Sequence, residues 1–328
     1  MPMHIAVTID TEEDNWGDYS REAYGVDNIK KIPALQKLFD EYRIQPTYLV
    51  TYPVATNKNS IGVLKKVLDG GNCEIGMHCH PWSTPPFEEE RNAYNSMLCN
   101  LSYDLQQKKL GVLHEAIEGN LGVRATSFRA GRWGYSEAVS TVIKDLGYRV
   151  DTSITPLTDW SEYHGPDFSR QMPKSYRFNT PEIYRQIDGG ELLEVPATIG
   201  YLQGNIARCA AVERALDTKL GRTLRLRGIL NRVGLLNKVW LSPEASDARQ
   251  MIELTKVMIA ANCDIINMFF HSTSLQAGLS FIVTTNADEV RFADRMREYF
   301  TFINEEGLEP ITLFEAEDVM QRSGKHDS

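Results

Sequence analysis

The sequence predicts an α/β protein, a distorted (β/α) barrel carrying a basic helical insertion. Three observations lead there. Short apolar, β-branched segments alternate with amphipathic helical ones over most of the chain; the acids, histidines and arginines cluster just after the strand-like segments; and residues 157–240 break the rhythm. Alternating β and α favours a parallel sheet or barrel covered by helices. In such barrels the reactive groups sit at the C-terminal ends of the strands.

The elements follow in order. His4–Asp10 (HIAVTID) is an apolar run ending in acids, and Pro33 opens a helix with Leu35, Leu38, Phe39 and Tyr42 on one face. Thr47–Thr51 reads as a strand, Ser60–Asp69 as a helix stopped by Gly70-Gly71, and Cys73–Met77 as the next strand. A long helix with Tyr94, Met97, Leu98, Leu101 and Leu105 as its stripe comes next. It leads to a strand at Thr126–Phe128, a helix over Glu137–Leu146 and a strand near Tyr148–Asp151. Residues 157–190 are loop-like, and 192–201 read as one strand with its exit. Residues 205–240 are helical, with eight basic side chains against two acidic, a local excess of +6. The rhythm resumes with a helix from Asp247 to Ala261 behind a Ser246 cap and a strand at Ile265–Phe270. A helix from Asn286 to just before Gly307 and a strand at Pro310–Leu313 complete the pattern, and the tail from Arg322 is polar and frayed. The pattern on either side of the interruption is read as one domain over residues 1–328, with 157–190 and 205–240 as insertions in it, not separate folding domains.

Composition narrows the function. Of 328 residues, 42% are hydrophobic, enough to bury a core and exclude disorder. The net charge of −9 argues against nucleic acid as partner. No apolar stretch is long enough to span a bilayer, and the start of the chain lacks the basic-then-apolar pattern of a signal peptide. Five cysteines fall in no CxxC pair, which disfavours a disulfide framework or zinc ribbon. A cytoplasmic protein is the expectation.

The chemistry gathers behind the strands: Asp10-Thr11-Glu12-Glu13-Asp14, His78-Cys79-His80-Pro81-Trp82, Arg129-Ala130-Gly131-Arg132-Trp133, Asp151, and His271-Ser272-Thr273-Ser274. Four of the five tryptophans (Trp16, Trp82, Trp133, Trp160) lie shortly downstream of these groups. Aromatic faces beside polar groups suit a sugar, whose C–H faces stack on rings. On that ground Trp82, Arg132 and Trp133 are expected to bind substrate. The bland alternatives are a solvated acidic loop, a pair of hydrogen-bonded loop histidines, a structural Arg129 salt bridge and a core histidine at 271.

The order TID, EIGMHCHP, FRAGRWG, FFHS resembles the polysaccharide deacetylases, the NodB-homology or carbohydrate esterase family 4 group, over roughly residues 4–151, 190–200 and 263–313. The resemblance implies removal of acetyl groups from N-acetylated sugars with a divalent metal held by one carboxylate and two histidines. It makes Asp10 the catalytic base, His78 the first metal histidine, Arg129 the residue that orients the base and His271 the general acid. Asp151 lies near the family's fourth motif and is expected to face substrate.

Two positions depart from the pattern. Thr11 stands where the family has a second aspartate, and Trp82 where it has a second histidine. In extended chain, i and i+2 share a face, so Glu12 and His80 are the replacements, giving Glu12, His78 and His80 as ligands. Zinc is the first choice of ion, with nickel, cobalt and manganese as alternatives. The expected function is a metal-dependent N-deacetylase of cell-surface polysaccharide or lipopolysaccharide assembly. Two alternatives remain: a metal-independent hydrolase of other non-peptide C–N bonds, and a non-catalytic glycan- or phosphate-binding barrel.

Overall fold

A computed structural model describes residues 3–14, 19, 24–216 and 226–323. Trp16, and Lys219, Arg222 and Arg225 of the basic stretch, lie outside the described residues.

The strands are β1 (His4–Thr11), β2 (Pro46–Val50), β3 (Glu74–Cys79), β4 (Ser127–Ala130), β5 (Val150–Asp151), β6 (Tyr176–Phe178), β7 (Leu192–Glu194), β8 (Ile199–Tyr201), β9 (Lys238–Trp240), β10 (Ile265–His271) and β11 (Glu309–Ile311). The main sheet runs β10-β1-β2-β3-β4-β5-β7-β6, with β11 also on β1. Every pairing in it is parallel except β6–β7. The helices are α1 (Ile32–Tyr42), α2 (Tyr52–Thr56), α3 (Lys58–Leu68), α4 (Tyr103–Leu121), α5 (Glu137–Asp145), α6 (Ile206–Leu216), α7 (Leu226–Arg232), α8 (Ala248–Ala260), α9 (Asn286–Glu306) and α10 (Leu313–Ser323). This is a distorted (β/α) barrel. No helix among the described residues is long and apolar enough to cross a membrane.

Alternation along β1 explains how the barrel places charge. Ile5, Val7 and Ile9 join the apolar layer that includes Leu35 and Phe39 of α1 and Phe300 and Ile303 of α9. Thr8 and Asp10 instead enter a polar network. Thr8 Oγ1 donates to Asn267 Oδ1 at 2.9 Å, and Asn267 Nδ2 donates to Thr152 Oγ1 at 2.8 Å. Parallel register then brings the chemistry level: Asp10 is paired with His271 across β1–β10, and His78 with Arg129 across β3–β4.

Several elements differ from the sequence expectation. The stripe from Tyr94 to Leu101 forms no α-helix, only a single 3-10 turn at Leu98–Asn100. Helix α4 begins only at Tyr103, where the Ser102 side chain caps Leu105 N, and its buried face is Leu105, Leu110, Leu113, Ile117 and Leu121. Chance helical spacing of apolar loop residues produced the longer reading. Asp247, not Ser246, caps α8: it forms a capping box with Gln250, while Ser246 Oγ donates to the Trp240 carbonyl at 2.8 Å. The segment 192–201 is two strands, β7 in the main sheet and β8 in a separate antiparallel ribbon with β9. The basic stretch therefore ends in a strand. Its ribbon docks on β10 through Thr198 N to Asn267 O and Phe269 N to Leu241 O, at 3.1 Å each. Residues expected as frayed tail partly belong to α10, whose Leu313, Ala316 and Val319 cover a second apolar cluster with Ala6, Leu49 and Ile265.

One buried cation fixes the loop behind β3. Lys109, on α4 and fully inaccessible, donates to the carbonyls of Pro81 (2.9 Å), Thr84 (2.7 Å) and Pro86 (2.8 Å) and pairs with Glu89 at 2.8 Å. A charged amine in a dry interior requires such full satisfaction. It anchors the backbone that follows His80.

Candidate active site

A cavity of about 500 Å³ opens where β1, β3, β4 and β10 end. Its walls include Asp10, Glu12, His78, His80, Arg132, Glu244 and His271. Aromatic rings from Trp82, Trp133, Trp160, Trp240, Phe269 and Phe281 supply most of the rest.

Three donor groups converge at its base. Glu12 Oε2 lies 3.4 Å from His80 Nε2 and 3.9 Å from His78 Nε2, and one ligand atom from each residue lies within 4.8 Å of the others. A tetrahedral site with metal–ligand bonds near 2.0–2.1 Å needs ligand atoms about 3.3 Å apart, so little contraction is required. Each imidazole is oriented from behind. His78 Nδ1 is 3.0 Å from the Arg129 carbonyl, an acceptor, which places its proton there and frees Nε2. His80 Nδ1 meets Glu13 Oε1 at 2.9 Å, and the Trp82 ring stacks on its face at 4.1 Å. Cys79, between them, points into the apolar core.

The electrostatics suit a cation. Burial pushes the Glu12 carboxyl up to about 8, against the pull of His271 and His80. Its Oε1 atom is buried without a hydrogen-bond partner. Burial also takes His78 down to about 3, so it is neutral, the state of a ligand. Burial opposes charge on His80 too, but Glu13 overrides it and raises that group. An ion among these atoms would ionise Glu12, give its orphaned oxygen a partner and displace the His80 proton. The donor set fits a divalent metal.

Two further pairs flank the cluster. Arg129, completely buried, donates to Asp10 Oδ1 at 2.5 Å, to Thr8 Oγ1 at 2.7 Å and to the Thr152 carbonyl at 3.1 Å, with Trp133 stacked 5.0 Å away. Burial would raise Asp10, but Arg129, His78 and His271 prevail and hold its carboxyl at about 2. Its other oxygen, Oδ2, faces His78 Nε2 at 3.8 Å and His271 Nε2 at 3.7 Å. His271 Nδ1 binds Glu244 Oε2 at 2.8 Å, and Glu244 Oε1 accepts from His271 N (3.0 Å) and Ser274 Oγ (2.6 Å). Burial opposes the imidazolium, but Glu244 and Glu12 outweigh it and raise His271 to about 10.

The structure thus brings Asp10, Glu12, His78, His80, Arg129, His271, Trp82, Arg132 and Trp133 to one site. Asp151 is the exception. It is fully buried below the cavity, its Oδ1 accepting from Ser153 Oγ at 2.6 Å, and it does not line the wall. It pairs with buried Glu194, and burial raises both carboxyls. β5 ends at Asp151, and the side chain is held in the protein interior by Ser153. Glu13, Glu244 and Trp240 were not foreseen. Glu13 would alternate away from Glu12 in a continuing strand, but β1 stops at Thr11. Glu244 comes from the β9–α8 connection, remote from every motif. Its only signal is the SPEAS turn after an apolar Val-Trp-Leu.

Among solved structures, the chain resembles a protein of Parabacteroides distasonis described as a candidate glycoside hydrolase/deacetylase, with a TM-score of 0.60 and 10% identity over 98% of this chain and 71% of that one. A 4-alpha-glucanotransferase of Thermococcus litoralis gives 0.53 and 11% over 96% of this chain and 40% of that one. The fold is shared. A candidate polysaccharide deacetylase of Mycobacterium smegmatis superposes more loosely, at 0.47 and 14% over 95% and 94%. No family model and no curated protein matches the sequence.

Proposed function

We propose that the protein is a metal-dependent hydrolase that removes the acetyl group from an N-acetylated sugar, in the assembly of cell-surface polysaccharide or lipopolysaccharide. One observation carries the reading: a carboxylate–imidazole–imidazole cluster, an arginine-held aspartate and a carboxylate-held histidine line a single aromatic cavity. The fold shared with a structure described as a candidate glycoside hydrolase/deacetylase agrees with it.

Glu12, His78 and His80 would hold the ion, and zinc suits two neutral imidazoles and one carboxylate best. When bound, the ion supplies Lewis acidity at the acetyl carbonyl and makes water more acidic. The indoles of Trp82 and Trp133 offer faces to the sugar ring. Asp10 Oδ2 takes the proton from the attacking water, while Arg129 keeps the other oxygen fixed and the group ionised. His271 enters the reaction protonated because Glu244 holds it so, and donates from Nε2 to the departing nitrogen. The C–N bond breaks, acetate forms and the sugar leaves as an amine.

Acetate release from a panel of N-acetylated sugars, before and after chelation and after return of zinc, tests the reading. Turnover should vanish on chelation and recover with the ion. Full activity in metal-free protein contradicts it, and activity confined to cyclic amides would favour the metal-independent alternative.

A further inference from the structure

The cavity holds one cation that the reaction just described does not use. Arg132 lies on its wall, half-buried, directly after β4. Its guanidinium donates to Ser96 Oγ and sits 5.6 Å over the Tyr19 ring. Among the described residues, no carboxylate approaches it within ion-pair distance. The two fully buried Arg and Lys side chains among the described residues are treated differently: Arg129 has Asp10, and Lys109 has Glu89.

The cavity's own carboxylates are already engaged. Asp10 is clamped by Arg129, Glu12 faces the two ligand imidazoles, and Glu244 holds His271 and Ser274. Apolar rings make up most of the remaining wall, so the guanidinium is poorly hydrated there. Burial accordingly lowers its affinity for its proton. The backbone is arranged to present it: Arg132 and Trp133 both adopt left-handed conformations, with φ of 53° and 61°. Two consecutive non-glycine residues in that region are held there against their preference, a feature that concentrates at functional sites.

We propose that the substrate of this cavity carries an anionic group, a carboxylate or a phosphate, that is received by the guanidinium of Arg132, which pairs with no carboxylate among the described residues. The proposal rests on the deacetylase reading only for the sugar that bears the group. A planar guanidinium binds either anion through paired N–H donors, and a site closed to bulk water strengthens the pairing. The aromatic rings take the sugar faces while Arg132 fixes which end points toward Asp10.

Binding tests this apart from turnover. Quenching of tryptophan emission, checked by calorimetry, would be measured with N-acetylglucosamine, its 6-phosphate, and an N-acetylated hexosaminuronic acid. At least one charged sugar should bind about tenfold or more tightly than the neutral one, the scale of a charge-assisted hydrogen bond. The phosphate and uronate arms tell which anion is meant. In Arg132→Gln the charged-to-neutral ratio should collapse toward unity, and Arg132→Lys should restore part of it. If neither charged sugar exceeds the neutral one in the native protein, the inference falls. It also falls if folded Arg132→Gln, judged by near-ultraviolet circular dichroism, keeps the native ratio. Should Arg132→Gln fail to fold, the native comparison and Arg132→Lys decide. Failure to release acetate from any sugar would overturn the deacetylase reading and leave the binding ratio as it stands.

Discussion

Replacing Glu244 by Gln removes one charge from the cavity and almost no volume. Glu244 accepts three hydrogen bonds, from His271 Nδ1, His271 N and Ser274 Oγ. A glutamine has one carbonyl oxygen to offer. If that oxygen keeps the backbone N–H, the amide NH₂ points at Nδ1 and favours the neutral tautomer protonated on Nε2. The partner that chiefly overcomes burial and raises His271 to about 10 is lost. The group falls back toward the ordinary histidine value of about 6.5. The sign follows: a raised pKa favours the protonated acid, and that advantage disappears as pH climbs past the lowered value. At about pH 8 only about 3% of the imidazole would then be protonated, a loss of about 30-fold, whereas at about pH 6 the loss is less than about twofold. Misorientation adds a pH-independent factor, within the general-acid contribution of about 10²–10⁴. The assay is kcat against pH for native and Glu244→Gln protein with metal content measured in parallel. The defect should deepen about 25-fold between those pH values while bound metal stays stoichiometric. A defect that is flat with pH, or a kcat at about pH 8 within about threefold of native, would refute the general-acid assignment of His271.

Other expectations are separable from that one. Asp10→Asn should cut kcat by about 10²–10⁴ while metal stoichiometry persists, because Asp10 is a base and not a ligand here; elemental analysis beside the rate checks both halves. Glu13→Gln should weaken metal affinity about 10- to 100-fold, since the carboxylate behind His80 orients it, and competition with a chromogenic chelator reads that change. Gly131→Ala places a Cβ 2.4 Å from His80 Cδ2 and 2.6 Å from the Cys79 carbonyl. It should therefore displace a ligand without substituting one, visible as metal loss in a protein that still melts cooperatively.

Much of the barrel could be read from the chain because its central strands are buried on both faces. HIAVTID and INMFF are mostly apolar for that reason, interrupted by Thr8, Asp10 and Asn267 of the buried polar network, and their ends mark the site. The short strands β6 and β9 gave no such signal, and β8 merged with β7 into one reading, because segments of three residues have little period of their own to detect. The spacing of Asp10 with Glu12 and of His78 with His80 was legible because alternation carries one residue past the ends of β1 and β3. What lies farther on was not. Glu13 reaches His80 only because the chain turns after Thr11, and Glu244 reaches His271 only because the β8–β9 ribbon docks on β10. Asp151 shows the converse, a polar residue at a strand end that the fold turns inward.

The central claim is that Glu12, His78 and His80 hold a divalent ion in this cavity. Metal content of the purified protein, by elemental analysis, beside His78→Ala and His80→Ala, addresses it most directly. The account predicts near-stoichiometric zinc or a similar ion in the native protein and its loss in both variants with the fold retained. Native protein that takes up no ion when zinc is offered, or variants that bind it as the native does, would contradict it.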